Sequence, residues 1–279
     1  AGAATRYTTL ILLPIYTRSF ATGEYGVLES VTNLSALLIA FAMLGFDGAT
    51  AILYFENDDQ DRRRQICSLW MWTATLVSLP LTLLLLVAGD WVSIIATGTD
   101  SYANLFRVGV AALPFTLLHI VFSSILRFNF RPRAYAALNF GLTTTVALAS
   151  IWLVLFAGMG LMGALWGAFI GAAGASVVGA WAVRDVVSLA LPRQAAGALQ
   201  RRLLKLSLPL VPASIALWVI SFSNTYFLIG IASAEETGVF RVGARLAAFL
   251  GLGVWAFGLA WGPYSLSIAR EKDAPHTYA

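Results

Sequence analysis

Charge is what this sequence has least of. Only 11% of its 279 residues are Asp, Glu, Lys or Arg, against roughly 25% in an ordinary soluble domain, so it cannot cover a water-facing surface. Cysteine occurs once, as Cys67, which excludes an internal disulfide and the company that a thiolate metal or redox site needs. A buried structural thiol is the expectation. With two histidines in the whole chain, no His-Asp cluster, metal-ligand spacing or large extramembrane catalytic loop can be found, so no catalytic residue, metal or cofactor is expected. No signal peptide is visible. The chain also begins without Met and ends in a loop, "REKDAPHTYA", and is expected to be a piece of something longer.

What fills the sequence instead is apolar: 59% of residues are hydrophobic, in runs of about 20 that are long enough to cross a bilayer as helices. Hydropathy and turn residues place about eight spans, near 3–18, 27–54, 66–88, 105–126, 134–157, 161–183, 206–230 and 239–268. The expected fold is an all-α polytopic membrane protein.

The loops alternate in charge. "DQDRRRQ", "RFNFRPR", the stretch 184–205 and "REKD" are basic, whereas "ATGEYG", "DWVSIIATGTDSYAN", "GMG" and "ASAEETG" have no Lys or Arg. Cationic residues stay on the cytoplasmic side during insertion, so the basic loops are cytoplasmic and the first span runs outward. The net charge of +4 is therefore a topology signal, and no nucleic-acid partner is expected, since the basic residues flank spans and do not form a stripe on a soluble face.

A short text occurs twice. "TGEYGVLE" (22–29) returns as "EETGVFRV" (235–242), and one offset of 212 pairs Glu24 with Glu236, Gly26 with Gly238, Val27 with Val239, Leu34 with Leu246, Ala36 with Ala248 and Leu38 with Leu250. Six spans separate the copies, so both lie in outer loops in the same orientation. Duplicated halves related by an axis along the membrane normal are a common transporter plan. The expected division is 1–190 as a six-helix lobe, 191–205 as a cytoplasmic linker and 206–279 as the first hairpin of a second lobe. After Pro192, "RQAAGALQRRLLK" sets Leu199, Leu203 and Leu206 against Arg201, Arg202 and Lys205 at helical spacing, as for a helix lying on the inner membrane surface.

Five arginines lie outside the basic loops: Arg6, Arg18, Arg107, Arg241 and Arg245. A charge at mid-span costs about 2.5–3.5 kcal/mol on insertion scales and usually faces a cavity. Arg6 lies 12 residues, roughly 18 Å, below Arg18 and close to mid-membrane. Glu29, Asn33 and Asp47 share one face of the second span, and Arg241 and Arg245 one face of the eighth. The repeat sets Glu29 opposite Arg241 and Asn33 opposite Arg245. Glu29, Arg107 and Arg241 lie within a turn of their helix ends, where snorkelling to water is the alternative to a cavity. Asp47 serves either as a cap or partner of a cytoplasmic Arg or in transport; His119 either relays protons or stays neutral and bonded to a neighbouring carbonyl.

"LLPIYTRSFATGEYGVLE", "LKLSLPLVPASIALWVISFSN" leading into "EETGVFRVGARLA", and "AWGPYSLSIAREKDAPHTYA" resemble the polysaccharide and O-antigen flippase branch of the multidrug/oligosaccharidyl-lipid/polysaccharide exporter superfamily, along essentially the whole chain. The resemblance implies a MATE-like two-lobe fold of 12–14 helices, of which this chain is a first lobe and one hairpin. It implies a multi-pass protein of the bacterial inner membrane that flips lipid-linked oligosaccharide by alternating access, with membrane lipids and a polysaccharide polymerase as partners. Spans 1, 2, 7 and 8 then line a cationic cleft. The substrate-binding candidates are Arg6, Arg18, Arg241, Arg245, Glu29 and Asn33; Asp47, Arg107, His119 and Asn224 are candidates for coupling or gating. Where relatives often carry Asp-Arg, this chain has Asn224-Thr225, which weakens that last assignment. A cation-coupled drug exporter is less well served, because its cleft wants acidic residues, and a membrane-embedded glycan-processing enzyme less still. With Cys67 replaced by Ala, an impermeant thiol reagent on intact cells should label Gly98→Cys and spare Gly197→Cys; the reverse pattern overturns the topology.

Overall fold

The computed structural model describes residues 22–43, 45–97, 99–188 and 196–213, with shorter pieces at 12, 15–16, 18–20, 216, 219–220, 257–258 and 260–268. Most of the expected first, seventh and eighth spans therefore lies outside the described residues, and so does the comparison of the two repeat copies.

Among the described residues all regular structure is helical. In chain order the elements are α1 (Thr22–Met43), α2 (Phe46–Glu56), α3 (Gln60–Val87), α4 (Gly89–Thr97), α5 (Ala103–Ala111), α6 (Leu113–Phe128), α7 (Pro132–Ile151), α8 (Gly160–Ala182) and α9 (Ala196–Ser207). They give five helical runs long and apolar enough to cross a membrane: Gly26–Glu56, Gln60–Val87, Ala103–Phe128, Pro132–Phe156 and Gly160–Ala182. This is an all-α polytopic membrane protein. Each run lies within a few residues of its expected place, because hydrocarbon forces every backbone amide into an internal hydrogen bond and leaves the helix as the available form.

Local chemistry sets the ends. The Asp59 carboxylate accepts from the Asp61 N–H at 3.1 Å and caps α3. Pro114 and Pro132 occupy first-turn positions of α6 and α7, where no amide donor is required. α7 closes in a π-turn, Trp152–Phe156, with the Ala157 N–H bonded to the Trp152 carbonyl at 3.1 Å. Inside the spans, hydroxyls bond back to the preceding turn, as Ser35 does to the Val31 carbonyl at 2.8 Å and Thr75 to Met71 at 2.9 Å, so their polarity is absorbed locally.

The second span differs from the continuous helix expected over 27–54. It breaks at Gly45, whose φ of 69° is left-handed, separating α1 from α2. A Cβ at Gly45 would sit 2.8 Å from Leu210 Cβ and 2.9 Å from the Ser207 carbonyl oxygen. Only glycine fits there, on both grounds. Hydropathy cannot register such a break, because the apolar run continues through it.

α9 also departs from expectation. Its Leu199 and Leu203, 4% and 1% exposed, join the core built by α2, α3 and α6 and do not lie on lipid. Gln200 accepts from the Thr73 hydroxyl at 3.1 Å, and Arg202 donates to Glu56 at 2.7 Å. The amphipathic stripe was legible; its partner is protein because Phe46, Leu53 and Trp70 offer an apolar floor beside it. That core occupies the basic end, with Cys67 buried in it. A second around Val31, Phe106 and Leu165 fills the opposite end. The outward faces carry exposed Leu83, Val87, Trp91, Phe140, Trp152 and Val177, as lipid requires.

α7 and α8 approach most closely through glycines spaced by four. A Cβ at Gly167 would lie 2.1 Å from Ser150 Oγ and 2.6 Å from its backbone N, and one at Gly171 would lie 2.2 Å from Val146 Cγ2. Packing of this kind supplies association between helices where lipid removes the hydrophobic drive. Gly174, on the lipid side, has nothing within 4 Å of its Cβ position. Gly167→Ala should therefore lower thermal stability in detergent, by about 1–3 kcal/mol, while Gly174→Ala is neutral or stabilising. Equal melting of the two variants would contradict this packing.

Candidate functional site

The polar candidates are distributed by depth and side. Arg6, Asn224, Arg241 and Arg245 lie outside the described residues. Arg18 is helical and exposed. Glu29 lies on α1, though its side chain falls outside what is described, and Asn33, one turn further on, is half-buried.

Arg107 is bound at the end of the bundle opposite the basic loops. Its Nη2 donates to both Asp90 oxygens at 3.0 and 2.9 Å, Nη1 to Asn104 at 3.0 Å, and Nε to the Leu86 carbonyl at 3.2 Å. A guanidinium with all three nitrogens engaged ties α5 to α4 and to the end of α3. The site fits a clamp between helix ends, and a gating role would have to break those four bonds.

Asp47 stands in the first turn of α2, two residues after the Gly45 break, at the positive end of that helix's dipole. It accepts from Arg127 at 3.5 Å, and Arg127 also donates to the Ser124 hydroxyl at 2.7 Å. Of the two structural readings the arginine partner is the one seen: the helix is capped by Gly45 with no side-chain cap bond, and the other Asp47 oxygen is buried with no hydrogen-bond partner. His119 is 1% exposed, with Nε2 3.5 Å from the Ser123 hydroxyl, which in turn accepts from Asn139 at 3.3 Å. The neighbour is a hydroxyl and not the carbonyl expected, because Ser123 follows one turn later on α6 and faces Asn139 of α7.

Sequence reasoning passed over the most concentrated polar group, which sits where α2, α3, α6 and α8 end on the basic side. Arg63 donates Nε to the carbonyls of Asn57 at 2.6 Å and Tyr54 at 3.2 Å, and its guanidinium carbon lies 4.9 Å above the Tyr54 ring. The Tyr54 hydroxyl donates to Asn129 at 3.0 Å. Arg131 donates to both carboxylate oxygens of Asp185, holding that carboxyl below its usual range and raising its own pKa further. Together these bonds latch the ends of four helices. Beside them opens a cavity of about 600 Å³, walled by Tyr54, Phe55, Arg64, Phe130 and Asp61 and, from far along the chain, Leu266 and Ser267. The signal that could have found it is the aromatic and basic mixture of "RFNFRPR", read only as a topology marker. Among the described residues no group of His, Cys, Asp and Glu is arranged to hold a metal ion.

A helical bundle with a basic end and buried polar groups tied off at its helix ends matches many transporters, and family comparison narrows the choice. The model of the family described as polysaccharide biosynthesis protein matches residues 1–268. The chain belongs to that family, which holds the O-antigen and polysaccharide flippases. A solved structure, titled only protein A, superposes with a TM-score of 0.73 at 15% identity, over 99% of this chain and 65% of that one. At that identity it is the fold that is shared, and the chain spans about two thirds of that structure's length. No curated protein matches the sequence.

The latch has a pH signature. Because Asp185 is held below its usual pKa, its contribution is present above the unfolded value of about 3.9 and is lost as pH falls through the lower folded value. Both partners are about half exposed, so the contribution is below about 1 kcal/mol. The melting difference between wild type and Asp185→Asn should be constant above about pH 5 and shrink as pH falls from there through the folded value. A difference that stays constant as pH is lowered from about 5 to about 2 would mean that the variant acts through something other than the ion pair.

Proposed function

We propose that this chain belongs to a transporter that flips lipid-linked oligosaccharide, a polysaccharide precursor, across the bacterial inner membrane by alternating access. The observation that carries the proposal is the family match over residues 1–268. The arginines add a physical reason. A lipid-linked sugar carries a diphosphate that cannot cross hydrocarbon, and guanidinium groups bind phosphate oxygens bidentately. Arg6, Arg18, Arg241 and Arg245, with Glu29 and Asn33 opposite them in the repeat, are the side chains to which we assign the cleft. The diphosphate would be neutralised there while the lipid tail stays in the bilayer. Residues 1–190 are then one lobe, 206–279 the start of its counterpart and 191–205 the linker between them. Rocking of the lobes would expose the cleft to each side in turn, and delivery to a polysaccharide polymerase would follow on the outer side.

Arg107 and Arg127 are paired with Asp90 and Asp47, and we leave them out of the cleft for that reason. In the full-length protein, Arg6→Ala and Arg245→Ala should abolish glycan export with insertion intact, and the Lys variants should keep part of it, retaining charge but not the fork. Complementation of a flippase-deficient strain by both Ala variants at native protein levels would remove these residues from the mechanism.

A further inference from the structure

We propose that Phe130 and the cavity beside it form a docking site for the sugar portion of the lipid-linked glycan on the basic side of the membrane; this rests on the transport reading above. The motivating observation is a conformation. Phe130 has a φ of 51°, and no other non-glycine residue described has a positive φ. It occupies the position just past α6 where a glycine commonly ends a helix, with the Phe130 N–H bonded to the Arg127 carbonyl at 3.0 Å and the Arg131 N–H to Leu126 at 3.0 Å. A bulky side chain rarely adopts that backbone, and such outliers gather at functional sites.

The ring gains little from folding. It is 57% exposed and leans edge-on against Phe55 at 6.1 Å and 60°, at the rim of the cavity. Glycine would close the helix with less strain, so the aromatic face has a use outside the fold. The cavity, about 600 Å³, is within the roughly 300–1,000 Å³ of small-molecule sites.

Its chemistry selects a sugar over a free phosphate or a lipid. The wall carries three cations, Arg63, Arg64 and Arg131, and three anions, Asp58, Asp61 and Asp185, which cancel. Arg131 is committed to Asp185 and Arg63 to backbone carbonyls, so this is not an anion trap. Lipid would find too many charges there. A sugar offers what the wall can use: an apolar C–H face for the Phe130 ring and hydroxyls that donate to carboxylates such as Asp61.

The test measures binding by full-length protein in lipid nanodiscs of two probes: polyprenyl diphosphate bearing the host's repeat-unit glycan, and bare polyprenyl diphosphate. Phe130→Gly should weaken binding of the glycan-bearing lipid by about five- to tenfold, leave the bare lipid unchanged and leave the melting temperature unchanged or raised; Phe130→Tyr should bind both like wild type. If Phe130→Gly binds the glycan-bearing lipid as tightly as wild type, or melts lower, the docking role is overturned while the transport reading stands. If wild type binds neither probe, the transport reading falls and takes the docking site with it.

Discussion

A charged group inside a bilayer must reach the end of its helix or find a partner, and the described part of this protein is arranged around that constraint. Arg107 reaches Asp90, Asn104 and a carbonyl at one end; Arg127 reaches Asp47, Arg131 reaches Asp185 and Arg202 reaches Glu56 at the other. Each pair is modest alone, since exposed ion pairs contribute about 0–1 kcal/mol. Their effect is positional: they join helix ends around an interior that packing holds together.

That interior is apolar and closely fitted. Gly163, Gly167 and Gly171 leave no room beside α7, Gly109 would place a Cβ 2.5 Å from Val31, and Phe106, Leu117, Val121 and Ile125 are at most 1% exposed. The Gly45 break between α1 and α2 meets Ser207 and Leu210 just as closely, at the start of the next expected span.

Much of this could be read from the sequence, and the parts that could not share a cause. Span positions follow from hydropathy, and the sidedness of the basic loops follows from where Arg62 to Arg64, Arg131 and Arg202 fall. Partnerships across the fold do not: Arg107 looked like a snorkelling or cavity residue because Asp90 lies 17 positions away and on another helix. Leu199 and Leu203 declared an apolar stripe without declaring that protein, not lipid, would cover it. Gly45 and Phe130 are matters of backbone dihedral, and no periodicity reports a φ of 69° or 51°. The cleft arginines Arg6, Arg241 and Arg245 remain sequence-based assignments.

Transbilayer movement of the glycan is the claim on which all of this turns, and it can be measured directly. Full-length protein would be reconstituted into vesicles carrying lipid-linked oligosaccharide in both leaflets, and periodate, which does not cross the membrane, added outside. If the protein moves the glycan, the whole pool is oxidised over time, whereas protein-free vesicles stop near half. A plateau at half in the presence of folded protein would contradict the proposed transport.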